Sequence, residues 1–218
     1  MRASKQVVVV GASGFGREAL DVIQAMQGNG TSVEVVGVVD DAPSLVNLER
    51  LADRQVLYLG TIEEWLANDV SHISFVLGIG NPDVRRRLAE RMESAGMSPF
   101  TAIHPSAIIG SRSNLGPGAV VCAGAVIATN VQFGQYVHIN PNVTIGHDAV
   151  LHDYVSINPA AVISGEVSIQ NEVLVGAAAI VLQNLTVGER TIVGAAALVT
   201  KNVPKSVVVT GVPGAWNE

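Results

Sequence analysis

The chain has 218 residues, with 13 Lys/Arg against 19 Asp/Glu and a formal net charge of -6, so neither a nucleic acid nor an anionic membrane surface is an expected partner. No apolar run approaches the roughly 20 residues that span a bilayer, and an apolar segment begins by Val7, so no leader is expected. Cys122 is the single cysteine, which rules out an internal disulfide and fits a cytoplasmic protein.

Val7–Val10 form a short apolar run, followed by Gly11-Ala12-Ser13-Gly14-Phe15-Gly16 and then a helical pattern from Arg17 to about Gln27. Strand, glycine turn and helix in that order offer backbone N–H groups and a helix N-terminus to a phosphate, making Ser13, Gly14 and Phe15 candidate substrate contacts. Glycines of this kind also serve simply to permit a tight bend. What adds a ligand is the second run, Val33–Val39, which ends in Asp40 and Asp41, carboxylates placed to accept hydrogen bonds from a ribose or base. Further strands are expected at Val56–Leu59 and Ile73–Ile79, and a helix near Asp83–Ala95. The alternation implies a small parallel sheet. Residues 1–98 suffice for a half-Rossmann α/β unit, which favours a mononucleotide-bearing ligand over NAD.

Charge thins beyond that point. Residues 1–98 carry nine Lys/Arg and thirteen Asp/Glu, and residues 99–218 carry four and six, so a domain boundary is expected near residue 98. From Ile103 to Val199 an aliphatic or Phe residue recurs every sixth position without a break. Six is neither a helical nor a two-residue period, so each hexad is a short strand plus a turn, repeated as a solenoid over residues 99–204. A C-terminal tail, 205–218, follows. Three hexads close one coil, and residues 18 apart stack at the strand spacing of about 4.8 Å.

The positions just before the inward residues separate into three outward columns. One reads Ile108, Val126, Thr144, Val162, Ile180, Leu198; a second, Asn114, Gln132, Val150, Ser168, Thr186, is mostly polar. The third, Ala102, Val120, His138, Ser156, Leu174, Ile192, is mixed. The first is an apolar wall expected to pack on another copy of the chain, and a head-to-tail ring of three, a homotrimer, suits a triangular prism.

The repeat resembles the left-handed parallel β-helix of hexapeptide acyltransferases. With the glycine-rich N-terminal unit and the ending Val207-Val208-Val209-Thr210-Gly211-Val212-Pro213-Gly214, the whole chain resembles the family of sialic-acid O-acetyltransferases and nucleotide-sugar N-acetyltransferases. Members of that family acetylate UDP-4-amino sugars in bacillosamine synthesis or GDP-perosamine.

The segment His138-Ile139-Asn140-Pro141-Asn142-Val143-Thr144-Ile145-Gly146-His147-Asp148 resembles the family's active-site stretch. The resemblance implies His147 as general base, Asp148 as the acid that raises its basicity, and Asn140 close to the reacting groups. Many relatives carry Glu where Asp148 stands, so the acid here is one methylene shorter. For acetyl-CoA the resemblance implies contacts at Ser156, at Gly176-Ala177 and at Gly194-Ala195, in a groove between neighbouring prisms; relatives often carry His where Ser156 stands. Lys201 and Lys205 are candidate partners for the coenzyme's phosphates. Read from the residues alone, His147 is a corner residue in the column Ser111, Thr129, His147, Gly165, Gln183, Lys201, where a solvated surface role is common.

His147 and His152 stand five apart, a spacing that also occurs in zinc sites of β-helical carbonic anhydrases. A third ligand would fall on Ser111, and two protein ligands do not suffice for catalytic zinc, so no metal is expected. The expected activity is acetyl-CoA-dependent N-acetylation of a nucleotide-linked amino sugar of the 4-amino-4,6-dideoxy type, in bacterial surface-glycan synthesis. Two alternatives stand beside it: O-acetylation of a sialic-acid-like sugar, and a non-catalytic nucleotide-sugar-binding scaffold.

Overall fold

A computed structural model describes residues 4–217. It divides into two compact units, Met1–Gly80 with Val84–Pro105, and Asn81–Asp83 with Ser106–Glu218.

In the first unit, β1 (Lys5–Val10), β2 (Val33–Val39), β3 (Ser74–Leu77) and β4 (Ser98–Pro99) form one parallel sheet in the order β2-β1-β3-β4. Val7, Val8, Val9 and Val10 are fully buried, the expected outcome for a central parallel strand covered on both faces. Helix α1 (Gly14–Gly28) follows β1 directly. The expected strand at Val56–Leu59 is reduced to a single bridge between Val38 and Tyr58. Beside it β2 shifts register opposite Val8, and Gly37 at φ +152° lets Leu57 and Leu59 approach closely: a Cβ there would stand 2.6 Å from Leu59 Cγ and 2.7 Å from the Leu57 carbonyl.

Two helices lie outside the expected set, α2 (Leu45–Asp53) and α3 (Ile62–Leu66). Both begin on capping residues: Ser44 accepts from Asn47 N–H, and Thr61 with Glu64 forms a reciprocal capping box. Helix α4 (Pro82–Ser94) opens on Pro82, which lacks only an N–H that the first turn leaves unused.

The second unit is a parallel β-solenoid of two-residue strands. Face 1 includes Val120–Val121, His138–Ile139, Ser156–Ile157, Leu174–Val175, Ile192–Val193 and Val208–Val209. Face 2 runs Ile108–Ile109, Val126–Ile127, Thr144–Ile145, Val162–Ile163, Ile180–Val181, Leu198–Val199, and face 3 runs Gln132–Phe133, Val150–Leu151, Ser168–Ile169, Thr186–Val187. Pairing joins residues 18 apart, as in Thr144 with Val162 and Ile145 with Ile163. The last coil is shorter, pairing Ile192 with Val208.

The hexad residues from Val121 to Val199 are all buried, from Ile139 to Val193 completely, while Ile109 at the first coil remains 36% exposed. From Arg112 to Ala196 each corner puts one residue in the left-handed region, as at Asn130, Asp148, Glu166 and Asn184, with φ from 58° to 62°. Strain of roughly 1–2 kcal/mol at each non-Gly residue there is offset by inter-coil bonds such as Asp148 N–H to Thr129 O, 3.0 Å, and Glu166 N–H to His147 O, 2.9 Å.

Candidate active site

Three corner edges follow from the three faces, and they sort the solenoid's candidate residues. His147 and Asp148 lie on the edge between faces 2 and 3, where each coil turns from Thr144–Ile145 to Val150–Leu151. The positive φ of Asp148, 60°, is one that a short polar side chain tolerates, and it turns the carboxylate back to its predecessor. His147 Nδ1 and Asp148 Oδ2 are 2.7 Å apart. Asn130, one coil earlier, donates its Nδ2 to Asp148 Oδ1 at 3.0 Å. These two hydrogen bonds, that of His147 foremost, hold the Asp148 carboxyl below the usual carboxylate value. An ionised carboxylate only accepts, so Nδ1 is the donor, and in the neutral imidazole the lone pair is then on Nε2.

The ring leans along the edge over Gly165, the residue stacked on it in the next coil. A Cβ built on Gly165 would lie 2.7 Å from His147 Nε2 and 2.8 Å from its Cε1. The missing side chain is the space in which the imidazole sits. His147 is 61% exposed at its side chain, so Nε2 is open to a substrate.

Asn140 occupies a different edge, between faces 1 and 2. It is 7% exposed, and its Nδ2 donates to Ile157 O at 3.0 Å. Gly176-Ala177 and Gly194-Ala195 fall on that same edge, 36 and 54 residues further on, two and three coils along the 18-residue stack. Ser156 lies within face 1 beside His138, and both are buried, at 2% and 1% exposure. One chain therefore gathers Asn140 with the expected coenzyme positions on one edge and the His147–Asp148 pair on another. Face 2 separates them, with Ile108 63%, Val126 40% and Ile180 38% exposed. Among the described residues no cluster of three or more His, Cys, Asp or Glu side chains suits a metal ion.

The first unit holds a second group of candidate residues. Gly11, at φ +108°, packs so closely that a Cβ would stand 2.6 Å from Ile79 Cδ1, and Gly16 lies directly on the Gly11 carbonyl. Ser13 is the N-cap of α1 without a side-chain capping bond, and nothing lies within 4 Å of where a Gly14 Cβ would be. Asp40 Oδ2 accepts from Ala12 N–H at 2.8 Å and Oδ1 from Ala42 N–H at 2.9 Å. Asp41 Oδ1 accepts from Ile62 N–H at 2.8 Å. Both carboxylates thus shape the loops as well as facing a cavity of about 230 Å³, lined by Gly11, Asp40, Asp41 and the apolar Ile62, Ile79, Val84 and Leu88. The apolar lining was not foreseen from the sequence, although the position of Ile79 at a strand end and the T-x-x-E box that starts α3 were signals for part of it. Among the described residues no helix is long and apolar enough to cross a membrane.

Residues 6–92 match the family described as the PglD N-terminal domain. GDP-perosamine N-acetyltransferase of Escherichia coli is 30% identical over 137 residues, 61% of this chain and 58% of the relative. UDP-N-acetylbacillosamine N-acetyltransferase of Bacillus subtilis is 32% identical over 122 residues, 55% and 52% of the two chains; the matches span just over half the length of these curated relatives. Among solved structures, PerB from Caulobacter crescentus in complex with CoA and GDP-perosamine is 28% identical, with a TM-score of 0.88 over 99% of both chains. The acetyltransferase domain of PglB from Neisseria gonorrhoeae, in complex with acetyl coenzyme A, is 27% identical with a TM-score of 0.87 over 99% of this chain and all of that one.

Proposed function

We propose that this chain is a hexapeptide-repeat sugar acetyltransferase like the perosamine and bacillosamine N-acetyltransferases it resembles, and that it transfers an acetyl group from acetyl-CoA to the amine of a nucleotide-linked 4-amino sugar. The observation that carries this reading is the His147–Asp148 pair, bonded through Nδ1 with Nε2 left open over Gly165. As the sugar nitrogen attacks the thioester carbonyl, Nε2 takes the proton that the nitrogen must lose. Collapse of the tetrahedral intermediate expels the coenzyme thiolate, and the imidazolium returns the proton to it. Asp148 remains ionised throughout and stabilises the imidazolium. The family resemblance and the nucleotide-amino-sugar relatives favour an amine over a hydroxyl acceptor, and the pair itself favours catalysis over a passive scaffold.

The first unit grips the nucleotide. Its phosphates meet the open N-terminus of α1 at Ser13, Gly14 and Phe15, and the base or ribose enters the cavity beside Asp40 and Asp41. Binding energy from this remote handle positions the amine.

Assembly as a homotrimer supplies what one chain lacks. Covering the apolar face 2 with a neighbour brings one copy's His147 edge towards another copy's edge of Asn140, Gly176-Ala177 and Gly194-Ala195, and the coenzyme lies in the groove between them. Such an enzyme serves surface-glycan synthesis from the cytoplasm.

Thiol release from acetyl-CoA, measured with amino- and hydroxyl-bearing nucleotide sugars, tests the activity. We expect turnover with the amine, and His147→Ala to lose about 10²–10⁴-fold in kcat while a nucleoside diphosphate still raises the thermal midpoint. Undiminished turnover by the variant would sink the mechanism.

A further inference from the structure

Lys201 and Lys205 are near neighbours in sequence, but the fold separates them. Lys201 stands on the His147 edge, three coils along through Gly165 and Gln183, because Val199 continues the pairing of Ile145, Ile163 and Val181. Lys205 falls on the next corner, where its backbone packs against Gly188. The chain end explains what Lys201 meets. After Val208–Val209 it folds back, with Thr210 and Ala215 exchanging backbone hydrogen bonds at 2.9 Å and Leu198 O accepting from Gly214 N–H. Trp216 is thereby delivered to Lys201, whose Nζ sits 4.7 Å from the centre of the indole ring.

We propose that Lys201, positioned by Trp216, binds the diphosphate of the acetyl-CoA donor; the assignment rests on the acetyl-CoA reading above. The pantetheine arm sets the distance. From sulfur to the first phosphorus it has about thirteen bonds, or roughly 16 Å extended at the reach per bond of a peptide chain. The acetyl carbon must lie near His147 Nε2, which leans to the level of Gly165. From there Lys201 is two coils away, about 10 Å at strand spacing, and its side chain adds roughly 6 Å. The sum matches the arm. Gly176-Ala177 and Gly194-Ala195 lie at the axial levels of Gln183 and Lys201, so the proposed coenzyme positions on the facing edge run in the same direction.

Trp216 holds the ammonium at the edge by a cation–π contact, which reduces the rotamer freedom lost when the phosphates bind. Arg112, the other cation on this edge, stands at the opposite end, one residue after Ser111.

The test compares acetyl-CoA with S-acetylpantetheine, which keeps the arm and lacks the phosphates. For Lys201→Met the expected result is a roughly tenfold rise in KM for acetyl-CoA, the loss of a charge-assisted bond, with kcat held within about twofold and no change in KM for S-acetylpantetheine. Trp216→Leu should raise KM for acetyl-CoA about threefold, again only for the donor with phosphates. Lys205→Met and Arg112→Gln should leave both donors unaffected.

An unchanged KM in Lys201→Met, an equal rise for both donors, or a donor-selective rise in Arg112→Gln instead would overturn the assignment. Those outcomes all require a wild-type enzyme that turns over acetyl-CoA. If the wild type does not, the proposed activity itself fails, and the two failures are thereby distinguished.

Discussion

Gly165→Ala places one methyl group against His147, the proposed base, and touches nothing else in the proposed chemistry. The new Cβ would stand 2.7 Å from His147 Nε2, 2.8 Å from Cε1 and 3.2 Å from Cδ2. An unstrained carbon–nitrogen contact needs about 3.5 Å, so the ring must retreat by roughly 0.8 Å. Because His147 is largely exposed, it can swing outward without disturbing the core. Gly165 does not occupy the left-handed region, and alanine in a compatible backbone stabilises by about 0.4–1 kcal/mol through the unfolded chain. The fold should therefore stand, with the thermal midpoint unchanged or slightly raised. A misplacement near 1 Å costs about 10²-fold, or about 2–3 kcal/mol on the barrier. The assay is kcat for thiol release beside a thermal melt of the same sample. A variant that melts normally and keeps kcat within about twofold of wild type would refute the imidazole over Gly165 as the base.

Other consequences follow from the same geometry. Because Asp148 has a native value below its ordinary 3.8, its ionised form stabilises the fold above that pH, and the contribution is lost as pH falls through the lowered value. Asp148→Asn should melt below wild type at neutral pH, and the gap should shrink as pH falls from 3.8 into stronger acid; a gap that stays constant or widens over that descent would contradict the carboxylate's role. Val126→Glu with Ile180→Glu puts charge on exposed positions of face 2, and sedimentation should then report a monomer where the proposed assembly makes the parent a trimer; a parent that is itself monomeric at micromolar concentration removes the basis for assembly through this face. Gly16→Ala drives a methyl into the Gly11 carbonyl, an overpacking that costs about 1–3 kcal/mol. Loss of the nucleoside-diphosphate thermal shift is expected with it, and an unaltered shift would show that the glycine turn is not the phosphate site.

How much of this was written in the chain depends on the range of the interaction. The hexad and its 18-residue stacking were legible because burial inside a solenoid recurs at fixed sequence intervals, so Ile139, Ile157 and Val175 identify their own column. The same arithmetic places His147 and Lys201 on one edge. In the first unit β2 was read to the residue, whereas α2 and α3 were missed. Both are short, and their signals lay in the caps, Ser44 and the Thr61–Glu64 box, more than in hydrophobic period.

Sequence by itself determined the repeat, the glycine turn and the His-Asp pair, since each is set by neighbours along the chain or by a constant offset. Tertiary structure alone decided where side chains without a periodic partner come to rest. It engaged both oxygens of Asp40 with Ala12 and Ala42, buried Ser156 within face 1, and tilted the His147 ring over Gly165. It also carried Trp216 back to Lys201 through a terminal turn. Those placements rest on hydrogen bonds and close contacts between segments whose separation no local pattern encodes.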